Sequence, residues 1–108
     1  MGDEMKERSA KAEAARILRD LSIAEVTPDW QGCDPVWGAL ERMRDDGAVV
    51  LVKLDGERAG EGDNGPYTVA ISGGRLEADD FFRIDTFVLE EALAHGIIHY
   101  ARKCWLTD

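Results

Sequence analysis

His95 and His99 stand four positions apart, and Glu91 stands four before His95. On a helix the three side chains share one side. Three such groups can ligate Zn²⁺. Zinc sites built on paired helical histidines usually carry a catalytic glutamate between them, as in H-E-x-x-H. Here Gly96-Ile97-Ile98 fills that interval. Glu91, His95 and His99 are thus metal or small-molecule candidates by spacing alone. The plainer expectation is a polar helix edge continued by Arg102 and Lys103.

Other chemistry-bearing residues give less. Cys33 lies in Trp30-Gln31-Gly32-Cys33-Asp34-Pro35, just ahead of an expected helix. A helix N-terminus lowers a thiol pKa and the neighbouring Asp34 raises it. No histidine is local, so a small, partly buried thiol is expected. Gly60-x-Gly62-x-x-Gly65 matches the dinucleotide fingerprint in letters, but Pro66 and a strand follow where a helix must cradle the pyrophosphate. The acids of that loop do not fit the D-x-[DN]-x-[DN]-G calcium spacing. Glu77, Asp79 and Asp80 could serve acid–base work, although a solvated turn accounts for them. Trp30 and Trp37 flank a Pro/Gly connector, as core plugs or as an exposed recognition patch.

The elements that must position these residues are legible from pattern. Residues 3–21 read as a helix, with Ala14, Ile17, Leu18 and Leu21 on one stripe and Glu7, Lys11 and Glu13 opposite. Residues 1–5 are expected to fray. Ile23–Gly32 is a connector. Asp34 reads as an N-cap with Pro35 in the first helical position, and the short helix runs to about Asp45 with Trp37, Leu40 and Met43 or Arg44 inward. Gly47 suits the left-handed position beyond it. Ala48–Leu54 is a strand that is apolar on both sides, which predicts a central or doubly covered position. Residues 55–66 form an acidic, glycine-rich loop expected to be mobile.

Tyr67–Ser72 is a second strand. A Gly73-Gly74 turn would set Ile71 against Leu76 and Val69 against Ala78. The alternative, favoured by Phe82 and Ile84, leaves Glu77–Asp80 as a loop and confines the third strand to residues 81–85. Thr86 reads as the cap of a final helix, with Glu90 and Glu91 in its first turn. Leu89, Leu93, Ile97, Tyr100 and Cys104 form one apolar row of that helix. Ala94, Ile98, Ala101 and Trp105 form a second. Gly96 costs about 1 kcal/mol against alanine inside a helix, which predicts close approach of another backbone.

The fold class follows: a single α+β domain over residues 1–108, a three-stranded antiparallel sheet with helices packed on one face, in the order α-α-β-β-β-α. The α-β-β-β-α order is shared by the double-stranded RNA-binding domain. That family opens its last helix on a lysine-rich signature, and Asp85-Thr-Phe-Val-Leu-Glu-Glu91 stands there instead, so no function is carried over.

Charge narrows the function classes. The chain carries a formal −9, and residues 55–91 hold ten acids against three bases. Direct nucleic-acid binding is disfavoured, because neutralising phosphates needs Lys and Arg. No membrane span or secretory leader is read, which predicts a cytoplasmic chain with Cys33 and Cys104 as free thiols. No cofactor is expected, and no nucleophile–base pair marks an enzyme. The expected function is a non-enzymatic protein-binding module, in its concrete form an inhibitor or immunity-type protein for a basic partner. Its docking face would be built from Asp55, Glu57, Glu61, Asp63, Glu77, Asp79 and Asp80, gathered on one side. The chain is expected to be a monomer or a weak homodimer through a sheet edge at Phe81–Ile84.

Overall fold

A computed structural model describes residues 2–58 and 64–106, with side chains from residue 10 onward. The elements run α1 (Gly2–Asp20), α2 (Trp37–Asp45), β1 (Ala48–Leu54), β2 (Tyr67–Gly73), β3 (Phe82–Thr86) and α3 (Leu89–Tyr100). Short 3₁₀ turns at Asp34–Val36 and Ala78–Asp80 precede α2 and β3, and a π-helical turn, Ala101–Trp105, extends α3. The sheet is antiparallel in the order β1-β2-β3. α3 lies against β2 and β3, α2 against β1, and α1 packs on α3. The α+β class and the element order read from the sequence are those of the structure.

The alternating pattern of the strands decides the packed face. Val69 and Ile71 of β2 are buried under Leu93, Ile97 and Tyr100 of α3. Their cross-strand partners, Val50 and Val52 of β1 and Ile84 and Phe82 of β3, continue the same face and are half-buried. Each side chain added to this face removes apolar area from water, at roughly 25 cal/mol per Å². That gain explains the third strand. It begins at Phe82 and not at Arg75, because only then do Phe82 and Ile84 stand opposite Ile71 and Val69. The chain reaches it through a turn closed by the Leu76 N–H donating to the Gly73 carbonyl at 3.0 Å. Leu76 is buried beneath that connection.

Four expectations are corrected. β1 is an edge strand; its second apolar side, Val49 and Leu51, faces solvent. Thr86 ends β3 and donates its hydroxyl to the Val88 carbonyl at 2.7 Å, so α3 starts at Leu89 without a side-chain cap. Asp34 opens the 3₁₀ turn, whose N-cap position is Cys33, and α2 proper begins at Trp37. Gly96 admits neighbouring side chains and no second backbone: a Cβ there would stand 3.1 Å from Ile71 Cδ1 and 3.3 Å from Val69 Cγ1. The helix thereby settles onto the sheet.

Gly47 takes the left-handed conformation expected after α2, with φ +95°. Gly65, at φ +115°, has its backbone against the Thr86 carbonyl, where a Cβ would overlap backbone atoms. Gly65→Ala should therefore destabilise the domain by about 3 kcal/mol, from a strained φ and a clash that no rotamer relieves. Urea unfolding of the two proteins measures it.

Candidate functional site

Of the seven carboxylates expected on one side, the five that lie among the described residues are divided between the two ends of the sheet. The β1–β2 connection leaves the sheet at the Leu54–Tyr67 end, and the β2–β3 connection leaves at the opposite end, beyond Gly73. Asp55 and Glu57 belong to the first, and Glu77, Asp79 and Asp80 to the second. Seven residues of strand, each rising about 3.3 Å, lie between them. Glu61 and Asp63 fall outside the described residues.

Several of these acids already have partners. Asp55 is half-buried, stands 3.6 Å from Lys53 Nζ and accepts the Glu57 N–H at 3.0 Å. Asp80 stands 3.3 Å from Lys103 Nζ, and its carbonyl accepts from His99 Nε2 at 2.7 Å, which places the ring proton on Nε2. Glu77 and Asp79 are exposed. Asp85 takes the Thr68 hydroxyl and stands 3.5 Å from both Arg58 and Arg83. The Thr68 hydrogen bond and the two guanidinium groups hold its carboxyl below the usual range.

The His99 ring lies 5.2 Å from that of Phe82 and is tilted 36° to it, and His95 is exposed. Both line a groove of about 310 Å³ with Phe82, Ile84 and Ile98. Its cations are engaged, Arg102 with Glu13 at 3.2 Å and Lys103 with Asp80. Among the described residues no three His, Cys, Asp or Glu side chains are placed to hold a metal ion. Burial, then the charges of Asp34 and Glu90, push the Cys33 thiol up, away from a reactive thiolate. Burial does the same for Cys104. Among the described residues, Gly65 is followed by Pro66 and β2 and by no helix, and Gly60 and Gly62 lie outside the described residues.

The tryptophans separate. Trp30 is buried and donates its indole N–H to the Lys11 carbonyl at 3.1 Å, joining the connector to α1. Trp37 stands at the surface, at the start of α2. With Leu40, Glu41 and Arg44 it forms one wall of a groove of about 530 Å³, and Ala48, Val49, Val50 and Val52 of β1 form the other. The exposed apolar residues here are large: Trp37 is 53% exposed, Val49 66%, Leu51 52% and Leu54 66%. Their arrangement follows from local rules. α2 turns back through Gly47 into β1 and covers the inner side of that strand, and nothing described covers its outer side or free edge. The sequence reading, a central strand or one covered on both faces, left no room for this surface. The available signal was a doubly apolar strand directly following a helix that carries Trp37 at its start.

These features describe an α+β domain with a three-stranded sheet, helices on one face and an open apolar strand edge. No protein-family model, no curated protein and no solved structure matches the sequence. Among the described residues no helix is long and apolar enough to cross a membrane.

A part-buried polar junction ties the end of α2 to α3 beside the groove. Asp46, just after α2, accepts the Tyr100 hydroxyl at 3.0 Å and the Trp105 indole N–H at 3.1 Å. The Arg75 N–H reaches the Tyr100 oxygen at 3.3 Å. Burial and then the nearby Asp46 carboxylate push the Tyr100 pKa up to about 12, against the opposing Arg75 hydrogen bond. A folded pKa above the ordinary value of 10.0 means that the neutral phenol stabilises the fold. That contribution is fully present below pH 10 and is lost as the pH rises to about 12. Thermal unfolding followed across that window should show the melting temperature of the wild type falling, and falling less steeply in Tyr100→Phe.

Proposed function

We propose that this chain is a non-enzymatic protein-binding module that meets its partner along the β1 edge and the adjoining face of α2. The observation that carries this reading is the exposed apolar side chains on both sides of an edge strand, Val49 and Leu51 on its outer side and Leu54 with Trp37 on the α2 side. Such a patch is costly to leave in water, and on a soluble domain it marks an interaction surface. An edge strand offers main-chain hydrogen bonds, and the adjoining groove takes side chains.

A basic protein partner is the second reading, favoured by the exposed Glu77 and Asp79 at the far end of the sheet, where Asp45 also lies exposed. Within the net −9 field such a partner would be steered electrostatically. The division of the acids between two ends weighs against a single acidic docking face. Salt separates the two readings, since apolar strand addition tolerates it and charge steering does not.

Affinity capture on the immobilised full chain tests both. Leu51→Lys should abolish capture through the edge, and Glu77→Gln with Asp79→Asn should leave it intact in low and high salt. Capture that survives Leu51→Lys but is lost in the acid variant or on a salt wash would move the binding surface to the β2–β3 end.

A further inference from the structure

The occupant of the β1 edge can be read from the edge itself. In an antiparallel ladder, the residues whose N–H and C=O face the neighbour alternate with residues whose groups face away. The phase is fixed here by the Asp55 N–H, which donates to the Pro66 carbonyl at 2.8 Å. Counting back along the β1–β2 register, Lys53, Leu51 and Val49 face β2. Ala48, Val50, Val52 and Leu54 therefore direct their N–H and C=O outward. Among the described residues no other hydrogen bond engages these groups. The opposite edge is a poorer template. By the same alternation only Arg83 and Asp85 of the five residues of β3 face outward, and both side chains are tied into an ion pair.

We propose that the β1 edge binds a second copy of this chain, β1 against β1 about a two-fold axis through Leu51, joining two sheets into one of six strands. The inference rests on the protein-binding reading above and names its partner. The register is self-consistent. Antiparallel pairing with Leu51 opposite the partner's Leu51 sets Val50 opposite Val52 and Ala48 opposite Leu54, all four being residues with outward-facing groups. The full strand then pairs, with about eight inter-strand N–H···O bonds. Leu51 falls in a non-hydrogen-bonded pair, where side chains approach most closely. Val50 and Val52 meet their counterparts on the inner face, and Trp37 and Leu40 of each groove close over the junction.

Charge agrees with a second copy at this place. Glu41 and Arg44 pair at 2.9 Å, and Lys53 pairs with Asp55 at 3.6 Å, so the edge itself carries balanced charge. The exposed acids nearest it, Asp45 and Glu57, lie just beyond the two ends of the strand. Two chains of −9 still repel at long range. Self-association through β1 should therefore tighten as salt screens that repulsion, opposite to the behaviour of a basic partner bound by the acids.

Sedimentation velocity on the full chain, at protein concentrations from about 10 to about 300 µM and in about 0.05 and about 0.5 M NaCl, tests the proposal. The expected result is a monomer–dimer equilibrium that tightens with salt. Leu51→Lys, at an exposed position that the fold does not need, should weaken dimerisation by about tenfold or more. Val50→Pro should do the same, because it removes an outward N–H and leaves the β2 ladder intact. Circular dichroism confirms that both variants fold. Register is read by oxidation in a Cys33→Ser background: Leu51→Cys should give a covalent dimer, and Val49→Cys and Lys53→Cys should not. A monomer at every concentration and salt, or a dimer indifferent to Leu51→Lys, overturns the proposal. If the chain is monomeric but edge-dependent capture of another protein persists, the second copy is wrong and the protein-binding reading stands. Loss of both overturns both.

Discussion

The junction at Asp46 is the point on which the rest of the structure depends. One carboxylate, placed just after α2, gathers the Tyr100 hydroxyl from α3 and the Trp105 indole from the π-helical turn. Trp105 in turn packs edge-on against Tyr100 at 5.1 Å, with Arg42 over its other side at 5.5 Å. Two stretches more than fifty residues apart, the end of α2 and the end of α3 with its π-helical turn, thus meet at one polar group. The interaction is directional, unlike the apolar packing around it, and a buried polar group without partners is costly. It fixes where α2 ends, and therefore how the Gly47 turn delivers β1 to the sheet. The groove between α2 and β1 inherits its shape from this constraint.

A second tether works at the opposite margin. The Gly32 N–H donates to Glu90 at 2.7 Å, binding the connector to the first turn of α3. Glu90 is therefore held by the fold and does not contribute to any free acidic surface. The same holds for Asp85, which stands between Arg58 and Arg83 on the outer side of the sheet and takes the Thr68 hydroxyl. Much of the apparent charge excess in the middle of the sequence is structural. Counting acids along the chain measures a long-range field well and a docking face poorly, because it cannot tell a carboxylate held by a hydroxyl and two guanidinium groups from one that faces water.

The elements were legible where pattern and local chemistry agree. The stripe through Ala14, Ile17 and Leu18 places α1, and the alternation from Tyr67 onward places β2. Phe82 and Ile84 select the third strand by the face they must share with Ile71 and Val69. The candidate site was less legible, because it depends on relations between elements. Whether Val49 and Leu51 are covered is set by which face carries the helices, and whether the outward N–H and C=O groups of Val50 and Val52 are paired is set by strand order; neither is written in the composition of β1. Thr86 shows the same failure on a smaller scale: its residue type suits a helix cap, yet ladder pairing with Tyr67 claims its backbone for β3. The two ends of the sheet also looked continuous in sequence, since a run of acids spans residues 55–80 with a single strand between.

The three indoles occupy three different surroundings: Trp30 sealed beneath a lysine, Trp105 wedged against a phenol, and Trp37 open to solvent. The chain thus carries its own optical probe. Emission from the two enclosed rings reports the integrity of the interior, whereas any blue shift on occupation of the α2–β1 groove originates in Trp37. Occupancy and unfolding can accordingly be followed in one cuvette as two distinct colours of the same intrinsic fluorescence.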